Sequence, residues 1–480
     1  MAADGAPIAV IQTQRMGDLI LTYPLLLWLA RRYPDHPVTV VAEPDFAAPL
    51  APVSPPAAYL PLSRGAELTV REHFAVVNLS IRPEAAALAG RIPAGKRLGP
   101  VADAAGVVRV AGDWQLYRAS VVHNNRHNRF HWAELNALDL IPVADMAATT
   151  WPSPRVGGPG RGRVGVFVGA SERDKRPSRA FYGGLVRELA RRGLTPVLLG
   201  GPGEAALGAE VARLAGIPVS DLCGKLGLKE LAVFGQELSL LVVPDTGPMH
   251  LAAWTGLRTL NISVGPVSAH ETGPYQPGHY VLRPRMSCRG CWGCVRGRPH
   301  CRERLDPARA AYVAARLARS EDARLAGAVV PGYELSVSAR DALGLYALHP
   351  LRPEARPDAR PDARPDAREA VGAFWRDVFG WLLGAWGEAP ALAAREVLVA
   401  AHPRLEVHLA RGLAVLAASL RREARARAVP DTRFALGFAP CLRPLAGFVE
   451  RVLQNGDGAP ACRLRCLSLL ERVAGLLSRA

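Results

Sequence analysis

The stretch Leu240-Leu241-Val242-Val243-Pro244-Asp245-Thr246-Gly247-Pro248-Met249-His250 constrains the fold more than any other. Its apolar run reads as a buried strand. The strand ends in turn-forming residues. A helix then opens with Pro248 at its first position, with Asp245 or Thr246 as cap and Gly256 at its close. The first turn of such a helix presents free backbone N–H groups and a positive dipole end just past the strand's carboxyl edge. Open α/β sheets bind phosphate-bearing ligands there. His250 shares that turn.

The same alternation recurs along much of the chain. In residues 1–150, strands are expected at Ile8–Gln12, Val38–Ala42 and Ala75–Leu79, with an amphipathic helix over Asp18–Tyr33. A Pro/Gly-rich linker, Trp151 to Gly162, follows. Over 160–330 the strands are Val164–Val168, Pro196–Leu199, Leu240–Val243 and Thr259–Val264, with helices between them. This pattern predicts an α/β protein of two doubly wound, Rossmann-like units facing a cleft. Within 351–368, three copies of Arg-Pro-Asp-Ala exclude helix and central strand and read as an extended spacer. Residues 369–480 carry only helical periodicity, with Phe374, Trp375, Val378, Phe379, Leu382 and Leu383 on one face. They predict a small helical appendage outside the catalytic core, its apolar face either a bundle core or a docking face for a partner or the inner membrane surface.

Composition narrows the partners. The net charge of +16 comes almost entirely from arginine, with only Lys96, Lys175, Lys225 and Lys229 as lysines. The arginines are scattered through amphipathic helices rather than clustered with aromatics, which argues against nucleic acid. An anionic membrane surface or a phosphorylated substrate fits the charge better. The longest apolar run, Leu19 to Ala30, is too short to span a bilayer and contains Pro24. With no signal segment legible in Met1 to Pro7, a cytoplasmic location is expected. The eight cysteines are then reduced thiols or metal ligands.

Three further loops carry chemistry. In Gln14-Arg15-Met16-Gly17-Asp18-Leu19, Asp18 stands at a helix start, either as an ordinary cap or as a carboxylate able to take a proton from a substrate hydroxyl. In Gly169-Ala170-Ser171-Glu172-Arg173-Asp174-Lys175-Arg176, small residues admit a phosphate and Lys175 supplies a cation. Gly200-Gly201-Pro202-Gly203-Glu204 suits nucleoside contacts, although Gly-Gly-Pro is also a plain turn.

Together these blocks resemble glycosyltransferase family 9, the bacterial lipopolysaccharide heptosyltransferases. The resemblance rests on Gly17-Asp18-Leu19-Ile20-Leu21-Thr22-Tyr23-Pro24, Gly169-Ala170-Ser171 with Lys175-Arg176, Gly200-Gly201-Pro202-Gly203-Glu204, and Asp245-Thr246-Gly247-Pro248-Met249-His250. Gly265-Pro266 and Thr272-Gly273-Pro274-Tyr275 continue it, over roughly residues 8–320. It implies a GT-B fold, with the acceptor on the N-terminal unit and the nucleotide-sugar on the C-terminal one. It also implies an inverting transfer, usually from ADP-heptose, needing no metal cofactor. Carried over by position, Asp18 is the general base and Lys175 holds the diphosphate. Thr246 and Gly247 stabilise the leaving group with their amides, and Met249 and His250 lie nearby. Ser171, Gly201, Glu204 and Asp245 complete the expected donor site. Arg15, Arg126 and Arg129 are expected to face an anionic glycolipid or glycan acceptor. One departure is Lys175-Arg176-Pro177-Ser178, where the family commonly has Lys-Arg-Trp-Pro.

Two motifs stand apart. Cys288, Cys291, Cys294 and Cys301 could hold a structural zinc or an iron–sulfur cluster, or form a reduced, cysteine-rich loop. His123, His127 and His131, at four-residue intervals, suggest either a metal stripe or a basic helix entrance on the acceptor unit. Two other function classes remain open on the sequence: a non-catalytic sugar-binding or scaffold protein on the same fold, and a metal or redox protein centred on the cysteines.

Overall fold

The computed structural model describes residues 5–155, 162–286, 288, 291, 294, 296–326, 328–351, 366–426 and 429–479. The Arg-Pro-Asp-Ala spacer lies almost wholly outside these residues.

The N-terminal unit is a six-stranded sheet of β1 (Ile8–Gln12), β2 (Val38–Ala42), β3 (Ala58–Leu60), β4 (His73–Asn78), β5 (Ala94–Ala102) and β6 (Val108–Ala111), in the order β3-β2-β1-β4-β5-β6. All its pairings are parallel except β5 with β6. Every residue of β1 is buried, as expected of a strand covered on both faces. Chain order reverses beside β1, which lies between β2 and β4. The loops leaving β1 and β4 therefore flank the crevice.

The second sheet contains β7 (Arg163–Phe167), β8 (Thr195–Leu199), β9 (Ser220–Asp221), β10 (Leu240–Val243), β11 (Thr259–Ile262), β12 (Tyr280–Pro284), β13 (Tyr333–Arg340) and β14 (Tyr346–Pro350). Its order is β14-β13-β12-β11-β10-β7-β8-β9, with the reversal at β7, between β8 and β10. The unit runs past the expected limit at residue 330, because the antiparallel hairpin β13–β14 extends the sheet from β12. Leu345 and Tyr346 of that hairpin are buried in the core of the N-terminal unit, so the two units interlock.

The helix expected over Asp18–Tyr33 forms as two, Met16–Ile20 and Tyr23–Arg32. Pro24 has no N–H to donate to the carbonyl of Ile20, so the backbone ladder breaks between them.

The region after residue 366 departs most from expectation. It forms five α-helices, Ala367–Leu382, Ala389–Ala401, Pro403–Ala426, Arg443–Asn455 and Pro460–Leu477. The first helix does bury Phe374, Trp375, Val378 and Phe379, but not in a free-standing bundle. They share one continuous core with Trp114, Tyr117, Val121, Phe130 and Leu135 of the N-terminal unit. The rings of Tyr117 and Phe379 lie 4.6 Å apart. Asn455 closes the exposed edge of β6: its side chain accepts from Val110 N at 2.6 Å and donates to Val110 O at 3.0 Å. The appendage expected to stand apart is thus part of the N-terminal unit's core, and its first helix is no docking face.

The appendage also reaches the second unit. Glu369 pairs with Arg129 at 3.0 Å and lies 3.7 Å from His270, on the other side of the cleft. Arg376 pairs with Asp341 in the β13–β14 turn.

Candidate active site

Loops from the two reversal points meet across the cleft. Gly17, in the short helix after β1, faces Gly247 and His250, in the first turn of the helix Gly247–Trp254 after β10. A methyl group on Gly247 would lie 2.2 Å from Met16 Cε, and one on Gly17 would lie 3.3 Å from His250 Cδ2. The two glycines bring the helix starts into close contact, so a larger residue at either position would push on its neighbours. Thr246 is the N-cap of the second helix without a side-chain cap bond, and Pro248 occupies its first turn. The turn therefore keeps free N–H groups toward the cleft.

Asp18 sits in the first turn of Met16–Ile20 and accepts a backbone bond from Arg15 at 3.3 Å. Burial raises its pKa, against the opposing pull of Arg118, Arg15 and Lys175. A carboxylate with raised pKa is a stronger proton acceptor when ionised. Arg118 is held beside it by a bond to Leu79 O at 3.1 Å and by stacking over Trp132 at 4.7 Å. Its own pKa is lowered to about 10 by burial, with Asp18 pulling the other way. Sequence inspection missed Arg118, because nothing in the local pattern of the helix Asp113–Ser120 marks one arginine among so many.

Lys175 lies mostly buried, 4.0 Å from Glu172, and acts electrostatically on both Asp18 and His250. The imidazole of His250 is buried and its pKa falls to about 4, chiefly through burial. It is neutral at pH 7, and its Nδ1 has no hydrogen-bond partner. Arg15 crosses the cleft, donating to Ser171 Oγ at 3.0 Å and Glu172 Oε1 at 3.1 Å.

Beside this junction lies a cavity of about 610 Å³. Of the expected donor residues, Ser171, Gly201, Glu204 and Thr246 line it. Glu204 is fixed by bonds from Gly201 N at 3.0 Å and Arg176 at 3.4 Å. The cavity also has apolar walls, Phe46, Phe167, Leu222 and Leu228, and a cation, Lys225. None of these was singled out from sequence. Two signals pointed to them: Lys225 is one of only four lysines, and Glu43-Pro44-Asp45 reads as a helix start directly after β2.

Several assignments change. Met249 is wholly buried in the core beneath the helix, among Val243, Ala252 and Leu257, and does not face the cleft. The carboxylate of Asp245 is taken up by Thr272 Oγ1 at 2.6 Å, a bond that holds two loops of the second unit together. Arg129 is buried against the appendage, paired with Glu369 and bonded to Asn128 O at 2.7 Å, so it is not free for an acceptor. Arg126 is exposed, and its carbonyl accepts from Arg368. The segment 123–131 leads into the helix Trp132–Leu135, which His131 caps, and also forms a clasp between the units. Asn125 and Asn128 donate to Glu271 of the second unit, Asn128 at 2.8 Å. His131 Nε2 donates to Gly273 O at 2.9 Å while its Nδ1 accepts from Ala133 N at 3.2 Å, which defines a neutral tautomer. Burial depresses the pKa of His127 to about 3.

The thiols Cys288, Cys291, Cys294 and Cys301 are free, and Cys301 Sγ accepts from Gly265 N at 3.4 Å. Several residues between them lie outside the described ones. Among the described residues no group of three or more His, Cys, Asp or Glu is placed to hold a metal ion.

Residues 76–294 match the profile of glycosyltransferase family 9 (heptosyltransferase). Over that stretch the chain is similar to this glycosyltransferase family. The matched stretch begins in β4, so Asp18 precedes it, and it ends at the cysteine loop. The structure is similar to that of Escherichia coli ADP-heptose lipopolysaccharide heptosyltransferase II, with a TM-score of 0.51 at 18% identity, over 66% of this chain and 99% of that one. It is equally similar to a family 9 glycosyltransferase from Veillonella parvula, with a TM-score of 0.52 at 19% identity, over 67% of this chain and 99% of that one. These likenesses establish the GT-B fold. No curated protein sequence matches the chain. Among the described residues no helix is long and apolar enough to cross a membrane.

Proposed function

We propose that this glycosyltransferase moves a sugar, with inversion, from a nucleoside diphosphate donor to an anionic cell-envelope glycan or glycolipid, and that the donor is ADP-heptose. One observation carries the reading. Asp18 feels the charges of Arg118 and Lys175, and its neighbour Gly17 meets the first turn of Gly247–Trp254 across the cleft, beside an apolar cavity large enough for a nucleoside. Inverting displacement needs that polarity: a base on the acceptor side and positive charge on the leaving-group side.

In this reading the base slots between Phe46 and the Leu222–Leu228 loop, with Glu204 and Lys225 as its polar contacts. The diphosphate runs past Ser171 to the helix start. Lys175 and the amides take up its developing charge, so a metal ion is not required. Arg118 and Asp18 face the acceptor hydroxyl, and neutral His250 lines the transfer point. The bonds from Arg15 to Ser171 and Glu172 close the cleft over the substrates. They are exposed and cost little to break for exchange.

The test is a thermal-shift panel of nucleoside diphosphate sugars followed by transfer assays with and without chelator. A ligand bound only to the native state raises the melting temperature. The expected result is a selective rise with ADP-heptose and chelator-insensitive turnover. A rise with uridine or guanosine sugars alone would refute the donor assignment, and chelator-abolished turnover would refute the metal-free one.

A further inference from the structure

We propose that the helix Pro403–Ala426 and its groove against Pro460–Leu477 form a docking face for an anionic lipid bilayer. At 3.6 residues per turn, Arg404, His408, Arg411, Val415, Ala418 and Arg422 fall along one line of the helix. All six are exposed, Val415 by 60%. Val407, 48% exposed, and Arg421 flank the line. Among the described residues, Arg404, Arg411, Arg421 and Arg422 make no ion pair, hydrogen bond or ring contact. Elsewhere in the same helical region arginines are engaged: Arg376 with Asp341, Arg395 with Glu406, Arg465 with Asp113 and Arg479 with Glu388. Glu406, an acid of this helix, is held by Arg395 at 2.7 Å.

Beside this line runs an apolar groove of about 300 Å³. Ala410, Ala414 and Ala417 on one helix and Leu467, Leu470 and Ala474 on the other line it, with the acid Glu471 beside them. Small residues keep it open, and Arg421 stands at its rim. Stable surface attachment needs two signals, charge and an apolar foothold, and this face supplies both. The unpaired arginines along this line match a bilayer bearing anionic headgroups. The exposed valines and the groove match the acyl boundary beneath.

Co-sedimentation of the full chain with vesicles of phosphatidylcholine, alone or with phosphatidylglycerol added, tests the proposal without any sugar substrate. Its failure is therefore separable from failure of the donor or acceptor reading. Binding is expected only with phosphatidylglycerol and should weaken as salt rises. At about fivefold per arginine near the surface, R404Q/R411Q/R422Q should bind on the order of a hundredfold more weakly at unchanged melting temperature. R404K/R411K/R422K should retain binding. Equal binding to both vesicle types, no binding at low salt, or an R404Q/R411Q/R422Q variant that binds like the parent would each overturn the proposal. So would a concentration-dependent dimer that Ala414→Glu abolishes while vesicle binding is untouched, since the face would then belong to a second copy.

Discussion

Deleting residues 366–480 should collapse the acceptor-side unit rather than release a smaller working enzyme. The deletion uncovers Trp114, Leu116, Tyr117, Val121, Phe130 and Leu135, all buried in the core shared with the helical region. At about 1.5–3 kcal/mol per large apolar side chain moved from interior to water, the loss is roughly 10–15 kcal/mol. That equals the whole stability of a typical domain, about 5–15 kcal/mol, before the lost Arg129–Glu369 pair is considered. Deletion also reopens the edge of β6 that Asn455 closes, which leaves an uncovered strand edge and invites aggregation. A graded version avoids the blunt instrument. Phe379 is fully buried against Tyr117, Trp375 and Phe448. Phe379→Ala should cost about 3–5 kcal/mol. The assay is chemical denaturation of the full chain followed by tryptophan fluorescence, since Trp114 and Trp375 lie in the shared core. The midpoint should fall sharply for Phe379→Ala, and the deleted chain should be insoluble or lack that transition. A soluble, monomeric deletion product melting within about 3 °C of the full chain would show that the shared core contributes almost nothing and would refute the reasoning, since even 1 kcal/mol moves a domain of this size by about 2–4 °C.

Other perturbations address the site. Asp18→Asn should lower turnover by about two to four powers of ten with donor affinity little changed, and near-normal turnover would remove Asp18 as the base. Because burial raises the Asp18 pKa and Arg118 opposes that rise, Arg118→Gln should move the acid limb of kcat/KM to higher pH; an unmoved limb would show that Arg118 does not act on Asp18. Lys175→Ala should weaken donor binding in isothermal titration, and unchanged affinity would exclude it from the diphosphate site. Burial raises Glu271 to about 7 despite its bonds from Asn128 and Asn125 and the nearby Arg129, with Asp245 adding to the rise. A raised folded pKa gives stability that is complete below the unfolded pKa and lost as pH rises through about 7, on the order of 3 kcal/mol. The melting temperature of Glu271→Gln relative to the parent should therefore climb between about pH 4.5 and 7 and level off above, and a pH-independent difference would refute the link.

The strands and the loops leaving them were legible because they are local. β1, β2 and β10 are apolar runs closed by turn residues, and their observed bounds are those read from the sequence. Gly17 and Gly247 were legible as loop glycines, but not their contact with each other, which depends on two chain segments 230 positions apart meeting. The same limit explains Arg129. Its charge, and the polar run around it, suggested a surface for an anion. Its partner Glu369 lies 240 positions away, beyond the Arg-Pro-Asp-Ala repeats, and no periodicity links the two.

The helical region shows how an amphipathic pattern misleads about location. The periodicity of 367–382 correctly marked an apolar face, but it cannot say whether that face meets its own bundle or another unit. What decides is the supply of complementary surface. The N-terminal unit leaves Trp114, Tyr117 and Phe130 on its flank; these rings pack edge-on with one another, and Tyr117 lies tilted against Phe379. Rings in such arrangements gain about 0.5–1.5 kcal/mol per pair beyond burial, which favours this one docking over a free-standing bundle. Docking there places Glu369 between Arg129 and His270, so one helix touches both sides of the cleft. The contact on the N-terminal side is an ion pair in which Arg129 is buried and Glu369 is about a third exposed.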